Sequence, residues 1–124
     1  MYTVKKTMEI AAAHKLDLPY KSKCQNLHGH GFVVTVHCGA SDLNEQGMVV
    51  DFTVIKKKIH AKLDHTYLND VEGVGWDYDD WNNKMDLNIT AERLAYWICM
   101  QIPECYKVSV QESIGNVATY DSRN

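Results

Sequence analysis

Three histidines in the first part of the chain, His14, His28 and His30, have the residue type and spacing of a metal site. His28 and His30 are separated by one glycine, and residues at i and i+2 on an extended chain point to the same side. Both imidazoles then reach one ion at about 2.0–2.1 Å. Three neutral imidazoles with an open fourth position are the ligands of a catalytic zinc ion, so the sequence predicts that these residues bind Zn²⁺.

Cys24 lies between His14 and His28 in a polar segment, residues 21–26. Its neighbours Lys21 and Lys23 favour the thiolate, and a thiolate beside a metal-bound substrate acts as a general base. Two other interpretations stay open. Cys24 is either an exposed, inert thiol or the fourth ligand of a structural zinc site.

Two further sets of ionisable residues occur later in the chain. Asp64 precedes His65 at a predicted helix end, where a carboxylate can fix the tautomer of an imidazole and raise its basicity. The alternative is a histidine placed favourably at the negative end of the helix dipole. Glu112 lies among valines and small polar residues. A carboxylate there matches the paired N–H and NH2 donors of a guanine or pterin edge, unless it is an exposed strand residue.

Alternation and β-branched composition predict four strands, at residues 2–10, 30–38, 107–112 and 116–120. A turn around Gly115-Asn116 joins the last two strands. An antiparallel pairing of the first two strands brings His14, at the end of the first, beside His28 and His30.

Two helices are predicted between these strand pairs. The first is capped by Asp51 and has apolar residues at helical spacing: Phe52, Ile55, Ile59 and Leu63. The second is capped by Thr90, ends at Pro103 and buries a shorter stripe: Leu94, Ile98 and Ile102. Residues 70–88, which include Trp76 and Trp81, are predicted to form a long loop.

The order ββααββ predicts an α+β fold, with a four-stranded antiparallel sheet and both helices on one face. Such a sheet has two exposed edges, and pairing with other subunits is one way to cover them. A length of 124 residues suits a single domain spanning residues 1–124.

Composition excludes several classes of protein. The net charge is −3 and no dense Lys/Arg cluster occurs, which argues against nucleic-acid binding. Apolar runs are only a few residues long, so no membrane span is expected. The N-terminus lacks the apolar region of a signal peptide, so we expect a cytoplasmic protein whose four cysteines are reduced.

Six segments together resemble the 6-pyruvoyltetrahydropterin synthase family: AAHKL, CQNLHGHGF, GMVVDF, LDHTYLN, NITAERLA and QES. They occur in the family's order from about residue 8 to residue 120. Three residues separate Cys24 from His28. This spacing resembles that of the 6-carboxytetrahydropterin synthases of queuosine biosynthesis, whereas the animal pyruvoyl enzymes usually have a longer spacer. A third, aldolase-like branch has a glutamate near the cysteine position. Lys23 and Gln25 flank Cys24 here, so the sequence does not resemble that branch.

The resemblance implies a role for each candidate residue. The family's three zinc ligands fall on His14, His28 and His30. Its catalytic cysteine falls on Cys24, and its catalytic Asp–His pair falls on Asp64 and His65. Its catalytic glutamate, which anchors the pterin, falls on Glu112. The segment that opens the second helix contacts the pterin in the family, which points to Thr90 and Ala91 as substrate-binding residues. Ala91 replaces a hydroxyl residue found in some members, so only a backbone role carries over there.

The resemblance also implies the assembly and the reaction. Members adopt the tunnelling fold, in which three subunits join their sheets into a barrel and two rings stack into a homo-hexamer with active sites between subunits. The implied reaction converts 7,8-dihydroneopterin triphosphate to 6-carboxy-5,6,7,8-tetrahydropterin, acetaldehyde and triphosphate. Candidates for contacts to the triphosphate are Lys15, Lys21 and Lys23. Two alternatives remain: formation of 6-pyruvoyltetrahydropterin, and a non-catalytic zinc- and pterin-binding protein.

Overall fold

The computed structural model describes residues 1–123; Asn124, the last residue of the predicted domain, lies outside the described residues. The strands and α-helices follow one another as β1 (Tyr2–His14), β2 (His28–Ala40), α1 (Phe52–Ile55), α2 (Ala61–Leu63), β3 (Thr66–Tyr67), β4 (Trp76–Tyr78), β5 (Lys84–Asp86), α3 (Ala91–Met100), β6 (Cys105–Ser113) and β7 (Asn116–Asp121).

The main sheet has five strands in the order β3-β1-β2-β6-β7. The predicted antiparallel pairings β1–β2 and β6–β7 are confirmed, and β2 also pairs antiparallel with β6. The prediction of a wholly antiparallel, four-stranded sheet is wrong at one edge, where β3 pairs in parallel with Ala12 and Ala13 of β1. A strand of two residues is too short to show alternation in the sequence.

The first helical run joins α1 to α2 through a π-helical segment, Lys56–His60. Its cap is confirmed, because the Asp51 carboxylate accepts a hydrogen bond from the Thr53 backbone N–H at 2.8 Å. The predicted buried residues Ile55, Ile59 and Leu63 are fully buried, but the prediction for Phe52 is wrong: it is 47% exposed in the first turn. No helix among residues 1–123 is long and apolar enough to cross a membrane.

One face of the sheet carries the core. Buried residues alternate along each central strand and form one cluster with both helical runs, as in Ile10 of β1, Phe32 of β2 and Val110 of β6. This confirms that the helices cover a single face. The opposite face is polar, with side-chain hydroxyl contacts across neighbouring strands: Thr7 with Thr35 and Ser109 with Thr119.

Residues 70–88 are not the long loop that the sequence predicted, because β4 and β5 form an antiparallel hairpin there. Each strand has only three residues, so no periodicity marks it. The connection is held by Asp79, whose carboxylate accepts hydrogen bonds from the backbone N–H groups of Trp81 and Asn83, both at 2.9 Å. Trp76 packs under the Lys84 ammonium at 4.9 Å, whereas Trp81 is 86% exposed.

Candidate metal centre and adjoining cleft

The β1–β2 register brings the three histidines together. His14 is the direct cross-strand partner of His28, and His30 lies opposite Ala12. The ring centroid of His14 is 4.5 Å from that of His28 and 5.1 Å from that of His30. The predicted antiparallel pairing is therefore confirmed, and it places the three histidines next to one another.

Backbone carbonyls orient two of the imidazoles. His14 Nδ1 lies 2.9 Å from the Ile89 carbonyl oxygen, and His28 Nδ1 lies 2.6 Å from that of Asn26. Because a carbonyl oxygen only accepts, both Nδ1 atoms carry a proton, which leaves Nε2 of each neutral imidazole with a lone pair for a metal. The sequence pattern did not reveal Ile89 or Asn26 as orienting residues.

Burial lowers the pKa of His30 below its usual value; the carboxylate of Glu112 opposes this shift, and the imidazoles of His14 and His28 add to it. A lowered pKa keeps this imidazole neutral, as a metal ligand must be.

Glu112 completes the cluster, a position that the sequence pattern did not predict. Its Oε1 lies 3.0 Å from His14 Nε2 and 3.1 Å from His30 Nε2. Neither contact has the geometry of a hydrogen bond, so both Nε2 atoms are buried without a hydrogen-bond partner. One ligand atom from each of the four side chains lies within 4.8 Å of the others. Three imidazoles and one carboxylate fit a divalent metal ion.

Cys24 is not a member of that cluster, which argues against its being a fourth ligand. It lies in a short 3₁₀ turn, where the Ser22 hydroxyl accepts a hydrogen bond from the Cys24 N–H at 3.2 Å. The Leu16 N–H donates to the Cys24 carbonyl at 2.8 Å, which fastens the turn to the chain just after His14. The thiol is free and partly buried.

Asp64 and His65 lie at the β1–β3 edge. Asp64 Oδ1 accepts a hydrogen bond from the Ala11 N–H at 2.9 Å, and Asp64 Oδ2 lies 3.4 Å from His65 Nε2. His65 has a positive φ of 58° and a side chain that is 83% exposed. His60 also faces Asp64, at 3.6 Å, which sequence reasoning missed although the i,i+4 spacing signals it.

Glu112 also lines a cleft of about 390 Å³ between the start of α3 and the β6–β7 turn. Ala91 lines the same cleft, whereas the Thr90 hydroxyl is engaged as the helix cap, accepting from the Arg93 N–H at 3.2 Å. The cap predicted at Thr90 is thus confirmed. The same carboxylate therefore borders both the histidine cluster and a cavity beside it.

A larger cleft of about 660 Å³ lies beyond the end of β1. Of the three lysines predicted to meet a triphosphate, Lys15 lines it, together with Lys84 of the hairpin. Three aspartates share the same wall: Asp17, Asp70 and Asp86. Lys21 and Lys23 are not among its lining residues.

Comparisons with known proteins identify the family. The sequence profile of 6-pyruvoyl tetrahydropterin synthase matches residues 3–123. A relative from Bacillus subtilis, 6-carboxy-5,6,7,8-tetrahydropterin synthase, is 30% identical over 96% of this chain and 84% of its own length. The protein of the same name from Synechocystis is 32% identical over 98% of this chain and 95% of its own.

Solved structures show the same fold. The 6-pyruvoyl tetrahydropterin synthase of Caenorhabditis elegans superposes with a TM-score of 0.70 at 23% identity, covering 97% of this chain and 94% of its own. The Plasmodium vivax enzyme gives a TM-score of 0.55 at 17% identity, covering 97% of this chain and 98% of its own. The resemblance carried by the six sequence segments is confirmed, and the chain belongs to the 6-pyruvoyl tetrahydropterin synthase family.

Proposed function

We propose that this protein is a lyase that converts 7,8-dihydroneopterin triphosphate to 6-carboxy-5,6,7,8-tetrahydropterin, with release of acetaldehyde and triphosphate, in queuosine (7-deazapurine) biosynthesis. Relatives from Bacillus subtilis and Synechocystis that cover nearly the whole chain bear the name of this synthase. The structural observation that carries the proposal is the cluster of His14, His28, His30 and Glu112 beside a cleft.

The three histidines are proposed to hold Zn²⁺. The donor set supports this ion, because imidazole nitrogens with a carboxylate suit zinc and the two buried Nε2 atoms of His14 and His30 otherwise have no partner. Bound zinc supplies a Lewis acid that lowers the pKa of hydroxyl groups on the substrate side chain. The Ile89 and Asn26 carbonyls keep two imidazoles turned towards the ion.

Glu112 and the start of α3 are proposed to bind the pterin. A carboxylate accepts two parallel hydrogen bonds from the N–H and NH2 groups of the pyrimidine edge. Ala91 lines the same cleft as Glu112, and because its side chain has no polar atom, only its backbone can form a hydrogen bond with a bound ring. Thr90 acts there by starting the helix, since its hydroxyl caps it.

Cys24 and His65 are proposed to move protons. The Cys24 thiolate removes a proton from the substrate side chain, and His65, paired with Asp64, returns one from the other side. His65 is 83% exposed in the single chain, which suits a residue that completes the active site of a neighbouring subunit. We therefore propose a homo-hexamer of two stacked trimers, in which β7, an edge of the sheet, joins the next subunit.

The reaction balances without an external reductant. One water is consumed, the bond between two side-chain carbons breaks, and the carbon kept by the pterin becomes a carboxylate. The electrons released reduce the dihydropterin ring to the tetrahydro level. The departing two-carbon piece leaves as acetaldehyde, and triphosphate leaves by elimination.

Product identification tests this function. The zinc-loaded protein is incubated with 7,8-dihydroneopterin triphosphate, acetaldehyde is assayed, and the pterin is identified by mass spectrometry. Acetaldehyde and a 6-carboxy pterin in equal amounts are expected from the parent, and Cys24→Ala is expected to keep its zinc but lose nearly all turnover. His28→Ala is expected to lose both. Normal turnover by Cys24→Ala would rule out its role as the base.

Two rival functions give different products in the same assay. Release of triphosphate without acetaldehyde assigns the protein to 6-pyruvoyltetrahydropterin formation, the activity in the family's name. Binding of pterin without any conversion indicates a non-catalytic carrier. We propose that residues 1–124 form a single domain. Sedimentation velocity tests its assembly into a hexamer, and fractionation of cells tests its proposed cytoplasmic location.

A further inference from the structure

Glu112 occupies a β-bulge. Gln111 pairs with Val117 and Ser113 pairs with Asn116, so β6 contains one more residue than β7 between these two pairs. The pairing of β6 with β2 runs from Cys105 to Gln111 and does not include Glu112. A bulge residue is left out of the ladder and its side chain is re-aimed, a device common beside active sites.

The re-aimed carboxylate faces the Nε2 atoms of two imidazoles. Because His14 Nδ1 donates its hydrogen bond to the Ile89 carbonyl, Nε2 of the neutral imidazole presents a lone pair, and Glu112 Oε1 lies 3.0 Å from it. His30 Nε2 lies 3.1 Å from the same oxygen and also lacks a hydrogen-bond partner. Acceptors that converge at this distance favour a cation between them, and a metal ion fits better than a proton because neither nitrogen makes a hydrogen bond to the carboxylate. The arrangement is therefore that of a ligand set that includes Glu112.

The same carboxylate faces the cleft in which the pterin is proposed to bind. A carboxylate that accepts both donors of a pyrimidine edge uses both oxygens in that contact. The two uses compete for Oε1, which has to point towards the ring in one and towards His14 Nε2 and His30 Nε2 in the other.

We propose that Glu112 is the fourth ligand of the metal when the cleft is empty, and that a pterin ring bound in the cleft takes the carboxylate away and opens that coordination position. The proposal rests on the proposed function, because it takes the cleft to be the pterin site. It makes Glu112 a coupling residue between ring recognition and metal coordination. By linkage, a pterin without side-chain hydroxyls and the metal each weaken the other's binding.

Cobalt substitution tests the ligand. The full-length protein, in its assembled form, is loaded with Co²⁺; the visible absorption reports the number of ligands and chelator competition gives the Kd. Glu112→Gln is expected to change the spectrum and to weaken Co²⁺ binding by about 10- to 100-fold. Glu92→Gln is the matched control, since Glu92 is an exposed carboxylate on the wall of the same cleft. Parental Kd and spectrum in folded Glu112→Gln would overturn the proposal.

The coupling is tested with 6-methylpterin, a ring that lacks side-chain hydroxyls. Its binding to the Co²⁺ protein is expected to shift the spectrum towards that of Glu112→Gln and to raise the Kd for Co²⁺ about tenfold. No binding, or binding with an unchanged spectrum and Kd, would overturn the coupling. Product analysis of the parent enzyme is a separate readout: turnover with no change in Co²⁺ binding refutes only this inference, whereas Co²⁺ changes without turnover refute only the proposed reaction.

Discussion

His14 Nδ1 donates a hydrogen bond to the carbonyl oxygen of Ile89 at 2.9 Å, which ties the last residue of β1 to the segment that leads into α3. Both residues are buried, with exposures of 1% and 0%. This bond orients one imidazole of the candidate metal site and also satisfies a carbonyl that water does not reach. The candidate metal site and the core of the fold therefore share a residue.

Replacing His14 is expected to affect stability as well as metal binding. His14→Ala leaves a cavity and an unpaired Ile89 carbonyl, so the metal-free protein should lose about 2–4 kcal/mol of stability. His28→Ala removes a half-buried ring and should cost less. Urea denaturation of both metal-free variants measures the difference. Equal losses would contradict the expectation that the buried Ile89 contact makes His14 the more stabilising of the two.

Thiol chemistry is expected to single out Cys24. Burial raises the pKa of Cys99 to about 12, and a hydrogen bond with Cys38, followed by burial, raises the pKa of Cys105. Cys38 is fully buried, whereas Cys24 is partly exposed. In the native protein near pH 8, a disulfide reagent should therefore label Cys24 rapidly and the other three only after unfolding. Fast labelling that persists in Cys24→Ser would contradict this.

The raised pKa of Cys99 also predicts a change of stability with pH. The folded state keeps the proton to about pH 12, whereas the unfolded thiol loses it near the model-compound value of 9.0. The stabilisation is therefore complete below pH 9.0 and is lost as the pH rises from 9.0 towards about 12. Thermal unfolding of the parent and of Cys99→Ala across this range tests it: the parent should lose Tm more steeply.

Thr90 is expected to act through the helix. Thr90→Ala removes the acceptor for the Arg93 N–H and should lower stability by about 1 kcal/mol, while Thr90→Ser should restore it. If the hydroxyl only caps α3, the KM for the pterin substrate should follow this same pattern. A KM defect that persists in Thr90→Ser at normal stability would instead indicate a contact that needs the threonine methyl group.

Two replacements of Asp64 separate its structural and catalytic uses. Asp64→Asn keeps an oxygen for the Ala11 N–H, so Tm should change little. It removes the charge beside His65, so kcat should fall by about 100-fold or more if that histidine transfers protons. Asp64→Ala should lower both quantities. Unchanged kcat in Asp64→Asn would remove this pair from the proposed mechanism.

Local patterns in the sequence were sufficient for the main elements. Alternation along β1 and the β-branched and aromatic composition of β2 indicated both strands. The Asp51 and Thr90 caps were found because capping depends on residues within one turn. The histidines were gathered because an antiparallel hairpin of the first two strands places the end of β1 beside the start of β2.

Tertiary structure alone decided the remaining relationships. Glu112 reaches the histidines from a strand at the far end of the chain, through a bulge that no periodicity announces. The two-residue β3 and the hairpin β4–β5 are too short to show alternation, and β3 exists because the chain after Asp64 lies against Ala11. Such contacts join residues distant in sequence, so their pairing depends on packing rather than on local spacing.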